Sequence, residues 1–142
     1  APPPGLESAL GARPRKILAA DHYIALLDDE NQVREIEPDL ARLAGLGPRG
    51  VAVTAASREA DFVSRFFAPG LGIPEDPVTG SVHRSLVPFW SQQLGKDRLI
   101  ARQVSRRGGL LRCRLAGDRV TVAGRCWLYL EGTINVPDET GG

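Results

Sequence analysis

Along this chain the apolar positions change period, and the changes divide it into elements. Residues 15–20 and 23–27 carry short apolar runs, and the second, Tyr23-Ile24-Ala25-Leu26-Leu27, is apolar without a break. That pattern predicts a strand covered on both faces. Residues 5–10 and 31–36 read as short helices, the first closed by Gly11. Pro38-Asp39 opens another, with Leu40, Leu43 and Ala44 on one face and Gly45 at its end. Residues 50–55 form the next strand. Over 61–67 the period is two: Phe62, Ser64 and Phe66 fall on one face, Val63, Arg65 and Phe67 on the other.

The long helical stretch comes next. Residues 81–94 set Val82, Leu86, Val87, Phe89, Trp90 and Leu94 around most of the circumference, which predicts a helix buried on every side. Pro88 lies inside it and should weaken or bend it, because proline lacks the N–H and crowds the preceding turn. From there the pattern is all strands, over 99–105, 110–116, 119–123 and 126–134. Tight turns join them at Arg107-Gly108-Gly109, Gly117-Asp118 and Ala123-Gly124. In 110–116 the residues Leu111, Cys113 and Leu115 alternate with Leu110, Arg112 and Arg114, the mark of a sheet with one wet face. Such a set predicts an α+β fold whose sheet curls round the long helix. Residues 1–5, with Pro2-Pro3-Pro4, read as a linker remnant, 6–136 as one domain, and 137–142 as a polar, disordered tail.

Composition changes little in this picture. The chain has 142 residues, 42% hydrophobic and 25% charged, and a net charge of +1. That suits one globular domain with a real core and gives no electrostatic reason for a nucleic-acid or membrane partner. No apolar run approaches a membrane span and no signal-peptide pattern opens the sequence, so the cytoplasm is the expected compartment. Cys113 and Cys126 lie in strand-like segments without a C-x-x-C spacing or clustered histidines, which argues against a metal site. Both are expected as buried thiols, with a disulfide left open. Arg106-Arg107 reads as a solvated turn.

Chemistry concentrates in residues 66–83, where a strand end leads through a Gly- and Pro-rich loop with two adjacent carboxylates into the long helix. A helix start offers unpaired N–H groups and the positive end of the macrodipole, so a ligand carboxylate is favoured there. Thr79 is the expected N-cap, and Gly80 and Ser81 supply N–H groups and a hydroxyl. Asp76, held before Pro77, either stabilises the turn or is displayed for chemistry. Glu75 points away from it and is expected to be structural. His83, one turn into the helix, reads as a packed, hydrogen-bonded residue, and His22 is unassigned. Ser81 and His83 are too close in sequence to face each other on a helix, and no nucleophile elbow is present, so a hydrolase is set aside.

The run EDPVTGS followed by His83, the preceding RFFAPG, and the later ARQ-S-RGG and GDRV segments together resemble the phenazine-biosynthesis PhzF-like isomerase family. The resemblance covers nearly the whole chain but only the C-terminal half of the family's two-half architecture. It implies the diaminopimelate epimerase-like fold, here a mixed, mostly antiparallel sheet curled as a barrel around one central buried helix. It also implies an active site in the cleft between halves and proton movement without cofactor or metal. Asp76 falls on the family's active-site aspartate and Ser81 on a position lining the substrate pocket, so these two are the expected catalytic residues. Thr79, Gly80, Ser81 and His83 are the expected substrate-binding set. The substrate implied is a small carboxylate-bearing metabolite such as trans-2,3-dihydro-3-hydroxyanthranilate.

The family's acid/base glutamate belongs to the N-terminal half, and no segment here corresponds to it. The chain alone is therefore expected to be inactive and to need that half or a second copy of itself, as in a homodimer. The sister epimerases use a cysteine in each half, and the helix-entry loop here has none. The alternative reading is a non-catalytic module that binds small carboxylates.

Overall fold

The computed structural model describes residues 1–47 and 49–136, so the tail expected at 137–142 lies outside the described residues. In chain order the elements are α1 (Leu6–Leu10), β1 (Lys16–Ala19), β2 (Tyr23–Leu26), α2 (Glu30–Glu35), α3 (Leu40–Gly45), β3 (Val51–Ala56) and β4 (Phe62–Ala68). A 3-10 turn at Pro69–Leu71 follows, then β5 (Ile73–Asp76), α4 (His83–Leu94), β6 (Arg98–Gln103), β7 (Gly109–Ala116) and β8 (Arg119–Ala123). Local chemistry fixes several boundaries. Asp29 caps α2 by accepting the N–H groups of Asn31 and Gln32 at 2.8 and 3.0 Å. Asp39 does the same for α3 through Arg42, and Gly11 closes α1 in the left-handed conformation at φ 67°.

The strands form one mixed sheet in the order β1-β2-β3-β4-β6-β7-β8, with β5 paired to β4 off that path. Two pairs, β2 with β3 and β4 with β6, are parallel, and the other five are antiparallel. The α+β class and mostly antiparallel sheet thus follow the sequence pattern. The sheet is open, however: among the described residues β1 and β8 end the path without meeting, so no closed barrel forms.

Period two in the strands builds two cores. Val51, Val53, Ala55, Val63 and Phe67 pack under α1, α2 and α3 with Leu6, Leu10, Val33 and Leu43. Ala52, Phe62, Phe66, Ala101 and Leu111 face the other way, onto Leu86, Val87 and Trp90 of α4. The result is three layers, and α4 covers one face rather than standing inside a barrel. It buries His83, Leu86, Val87, Trp90 and Ser91, while Leu94 is 41% exposed and Arg84, Gln92 and Gln93 face water. The expectation of burial on every side counted Phe89 and Leu94 as core, and both sit at its rim. Pro88 is accommodated because Arg84, whose carbonyl loses its usual N–H partner, is on the watered side. Within this layer the Trp90 indole N–H donates to the Thr54 hydroxyl at 3.0 Å, and that hydroxyl donates to the Val63 carbonyl at 2.7 Å.

The strand expected over 126–134 is absent. After β8 ends at Ala123, residues 124–136 pair with no strand, and Trp127 and Tyr129 are 92% and 98% exposed. Cys126 is accordingly exposed rather than buried; Cys113 is buried, and both are free thiols. Burial pushes the Cys113 thiol up to about 11.

One charged residue crosses from sheet to helix. Arg65 of β4 grips Glu75 of β5 through Nε to Oε1 at 2.7 Å and Nη2 to Oε2 at 3.0 Å. Its Nη1 donates to the carbonyls of Ile36 and Arg34 at 2.7 and 3.1 Å, which terminates α2. Arg65→Met would strand a largely desolvated carboxylate and uncap α2. The expected loss is roughly 2–4 kcal/mol of unfolding free energy in urea titration, near the lower end of the range for breaking a buried pair because neither partner is wholly enclosed. A loss under about 0.5 kcal/mol would instead show the pair to behave as a surface one.

Candidate functional site

Strand β4 splits its second edge between two partners. Phe62, Val63 and Ser64 pair with Ala101, Arg102 and Gln103 of β6, whereas Phe66 and Ala68 pair with Asp76 and Ile73 of β5. Since β6 runs parallel to β4 and β5 antiparallel, their C-terminal ends point at each other across the middle of β4. The missing backbone ladder at this fork is replaced by one side chain. Gln103, fully buried, donates Nε2–H to the Asp76 carbonyl at 2.7 Å and to Thr79 Oγ1 at 3.1 Å. Its Oε1 accepts the Thr79 N–H at 2.8 Å.

The loop after β5 is clamped from the same side. Thr79 Oγ1 donates to Asp76 Oδ2 at 2.7 Å, and the Ser105 hydroxyl donates to the Pro77 carbonyl at 2.7 Å. Gly109 lets Val78 approach so closely that a Cβ there would lie 2.5 Å from Val78 Cγ2. Asp76 and Glu75 face opposite ways, Asp76 into this network and Glu75 to Arg65. Period two in a strand requires that separation. β5 itself was not foreseen, because Gly72 and Pro74 disguise a strand of four residues.

The helix entry differs from expectation. Thr79 is not the N-cap of α4: the helix starts at His83 with Val82 as the capping residue and no side-chain cap. The N–H groups of His83, Arg84 and Ser85 turn back to the carbonyls of Gly80, Ser81 and Val82 at 3.1, 3.1 and 3.0 Å. The first turn of the helix is thereby used up. The N–H groups of Gly80, Ser81 and Val82, one turn earlier, have no acceptor among the described residues. Gly80 and Ser81 are exposed while Val82 is buried, so the first two N–H groups are open to a ligand anion.

His83 is fully buried, with Nδ1 2.6 Å from the Thr79 carbonyl and its ring 5.9 Å from that of Phe62. A carbonyl only accepts, so Nδ1 carries the proton. Nε2 is buried without a partner among the described residues. Burial lowers the His83 pKa below 6.5, and the bond to Thr79 opposes the shift in part. His83 therefore holds the loop from beneath as a neutral ring. His22 has a structural place too, accepting the Gly50 N–H at 3.3 Å and meeting Phe66 edge-on.

A cleft of about 670 Å³ opens beside the loop, lined by Val78, Gly80, Gly109, Arg107, Arg112 and Arg125. A shallower one of about 390 Å³ on the other side is bounded by Glu75, Pro77, Ser105, Arg106 and Arg107. Arg107 stands between them, so the turn read as merely solvated flanks the candidate loop. Three arginines lining one cleft with the exposed Gly80 favour a carboxylate or phosphate. Sequence reasoning missed Gln103, Arg112 and Arg125. The ARQ-S-RGG motif contained the first, but only folding brings the two arginines to residue 80. Among the described residues no group of three or more His, Cys, Asp or Glu could hold a metal ion, and no helix is long and apolar enough to cross a membrane.

Comparison with known proteins shows the family. A family model described as "Phenazine biosynthesis-like protein" matches residues 11–132. An uncharacterized isomerase of Pseudomonas aeruginosa is 50% identical over 136 residues, 96% of this chain and 52% of its own length. A second uncharacterized isomerase of that organism is 52% identical over 132 residues, 92% of this chain and 51% of its own. The crystal structure of a phenazine biosynthesis PhzC/PhzF protein from Clostridium difficile superposes with a TM-score of 0.84 at 38% identity, over 94% of this chain and 52% of that one. The chain belongs to the PhzF-like phenazine biosynthesis family, and it spans about half the length of the curated relatives it matches.

Two measurements test the site's supports. Gln103→Leu leaves the Thr79 N–H and the Asp76 carbonyl buried and unpaired. It should lower stability by on the order of 2–6 kcal/mol, one to three for each group, in chemical denaturation. His83 should make stability depend on pH. With its folded pKa below 6.5, the unfolded chain binds the proton first as pH falls. The contribution is full above 6.5 and is lost below it, so unfolding free energy should decline as the pH falls from about 7.5 through 6.5. His22, whose pKa burial also lowers, is replaced by Gln in both chains compared. Adding His83→Gln should then flatten the slope, and an unchanged slope would contradict a buried neutral His83.

Proposed function

We propose that this chain is the C-terminal half of a PhzF-like, cofactor-independent isomerase that moves a proton on a small carboxylate-bearing metabolite. A substrate of the trans-2,3-dihydro-3-hydroxyanthranilate type fits this reading. The observation that carries it is the juxtaposition, on one clamped loop, of the Asp76 carboxylate with unpaired N–H groups of the exposed Gly80 and Ser81 beside a cleft lined by arginines. The first can act on a reacting centre, and the second can hold a substrate carboxylate. The relatives' names as isomerases support the reaction class.

In this reading the residues divide the work. Gly80 and Ser81 anchor the substrate carboxylate through backbone N–H groups and the Ser81 hydroxyl. Asp76, oriented by the Thr79 hydroxyl, positions the carbon that loses or gains the proton. Thr79 and His83 keep the loop in register from within. A 1,3-type shift takes a proton from one carbon and returns it to another, so nothing is oxidised or reduced overall. The proton is carried meanwhile by the glutamate supplied by the N-terminal half, whose approach also excludes water from the cleft. The isolated chain binds without turning over, and its partner is that half or a second copy, in the cytoplasm.

Asp76→Asn keeps an acceptor for the Thr79 hydroxyl but removes the charge. In the assembled two-half enzyme it should therefore leave the melting temperature near wild type and lower kcat far more than it raises KM. Ser81→Ala, at an exposed position, should weaken binding by about 0.5–1.5 kcal/mol in calorimetry with small cyclic carboxylates. Wild-type turnover with a lowered melting temperature in Asp76→Asn would reduce Asp76 to a turn residue. Binding by the assembled halves without any turnover would favour the carboxylate-binding module.

A further inference from the structure

The layer of α1, α2 and α3 stops at β4, since the core beneath it takes no buried residue from β6, β7 or β8. Beyond β4 the sheet has one covered face, where Leu99, Ala101, Leu111 and Cys113 meet α4, and one bare face. Period two assigns the bare face to Arg98 and Arg102 of β6, Arg112 and Arg114 of β7 and Thr121 of β8, and all five are exposed. The register sharpens the arrangement. Arg98 lies directly opposite Arg114, and Arg112 stands two residues before Arg114 on the same face. Opposed side chains start about 5 Å apart, and those two along a strand about 7 Å. Three guanidinium groups are thus rooted in a small triangle on paired strands.

The carboxylates nearby are committed elsewhere. Glu59 holds Arg102 at 2.8 Å, while Asp61 is taken by Lys96 and by the Ile100 N–H, the latter at 2.6 Å. Arg98, Arg112 and Arg114 have no ion pair among the described residues. Like charges placed directly opposite each other destabilise a sheet, so the facing of Arg98 by Arg114 carries a cost that a bound anion would remove. All three line one concavity of about 520 Å³, with Lys96, Asp61 and Thr121 among its walls. That volume falls among those of small-molecule sites, about 300–1,000 Å³. An extended polyanion needs a longer track of cations, and the net charge here is only +1. Arg112 also lines the cleft beside Gly80, so basin and cleft share one guanidinium.

We propose that this basin binds a small molecule carrying a diphosphate group, held by Arg98, Arg112 and Arg114, and that its occupation draws Arg112 away from the cleft and weakens binding of the substrate carboxylate. Arginine at all three positions fits phosphate, whose oxygens accept the paired N–H groups of each fork. Two joined phosphates bring enough negative charge to match three cations. The basin needs only this chain, whereas the coupling rests on the reading of the cleft as the substrate's anchor. By linkage the carboxylate weakens diphosphate binding by the same factor.

Inorganic pyrophosphate is the probe, titrated calorimetrically into the full chain at about 0.15 M salt, where diffuse attraction is largely screened. One saturable site is expected. The double variant Arg98→Gln, Arg114→Gln touches neither core nor cleft. It should weaken that site at least about tenfold and leave the melting temperature at or above wild type, because the opposed charges are gone. Arg98→Lys, Arg114→Lys keeps the charge and loses the forks, and should still weaken binding at least about threefold. In a second arm benzoate is titrated into the cleft, and saturating pyrophosphate should raise its Kd about fivefold in wild type and leave it unchanged in the glutamine variant. Absence of saturable pyrophosphate binding, or equal binding by either double variant, would leave only a solvated arginine face and overturn the site. Binding lost in Arg125→Gln and kept in the double variants would put the anion in the cleft and overturn it equally. Benzoate bound with one affinity whether or not pyrophosphate is present would refute the coupling. If benzoate does not bind at all, the reading of the cleft fails and the coupling with it, while the basin stands or falls on the pyrophosphate arm.

Discussion

One buried amide holds this molecule's central loop in place. Gln103 sits where β5 and β6 leave a gap in the edge of β4, and its three bonds span that gap, with the Ser105 bond to the Pro77 carbonyl beside them. Their direction is fixed by chemistry. Oε1 must accept the Thr79 N–H, so both protons of Nε2 go to the Asp76 carbonyl and to Thr79 Oγ1. That leaves the Thr79 hydroxyl proton free to point at Asp76 Oδ2. The polarity runs one way, from the sheet interior to the carboxylate, and aligned bonds of this kind reinforce one another in a dry setting. An apolar residue at 103 could fill the space but could not aim Asp76.

The same fork explains why two adjacent acids behave differently. Glu75 and Asp76 occupy consecutive positions of β5, so they emerge on opposite faces of the sheet. Glu75 enters the layer of α2 and meets Arg65, already committed to the last carbonyls of that helix. Asp76 enters the layer of α4 and meets a hydroxyl. One carboxylate is neutralised by a fixed cation in the role of a structural tie. The other keeps its charge uncompensated by any ion pair among the described residues, and that difference makes it available to a ligand.

Much of the fold was legible because burial obeys period. The assignment of Phe62, Ser64 and Phe66 to one face and Val63, Arg65 and Phe67 to the other is the division between the two cores. What was not legible came from information the local sequence lacks. β5 exists because β4 has a free half-edge, not because Ile73-Pro74-Glu75-Asp76 prefers to be extended. Residues 126–134 have the pattern of a strand and form none, because the pattern carries no information about where such a segment could pair. Thr79 looked like a helix cap because Thr often is, yet Gln103 takes its N–H and Asp76 its hydroxyl. Arg112 and Arg125 are far from residue 80 along the chain, and they become neighbours of it only through the pairing of β6 with β7 and the path out of β8.

The donors that face the cleft share one property that the rest of the site lacks. Backbone N–H groups do not titrate, and guanidinium groups stay charged throughout the range in which proteins remain folded. An anion held by Gly80, Ser81 and the arginines would therefore be held equally well across neutral pH, whatever protons move nearby. Proton transfer needs the opposite, a group whose charge can change during the reaction. Separating the two tasks lets a substrate stay anchored by one end while its other end gains and loses a proton. In the proposed reading this chain supplies the non-titrating part, with Asp76 at its border, and the proton-carrying group belongs to the surface that closes over the cleft.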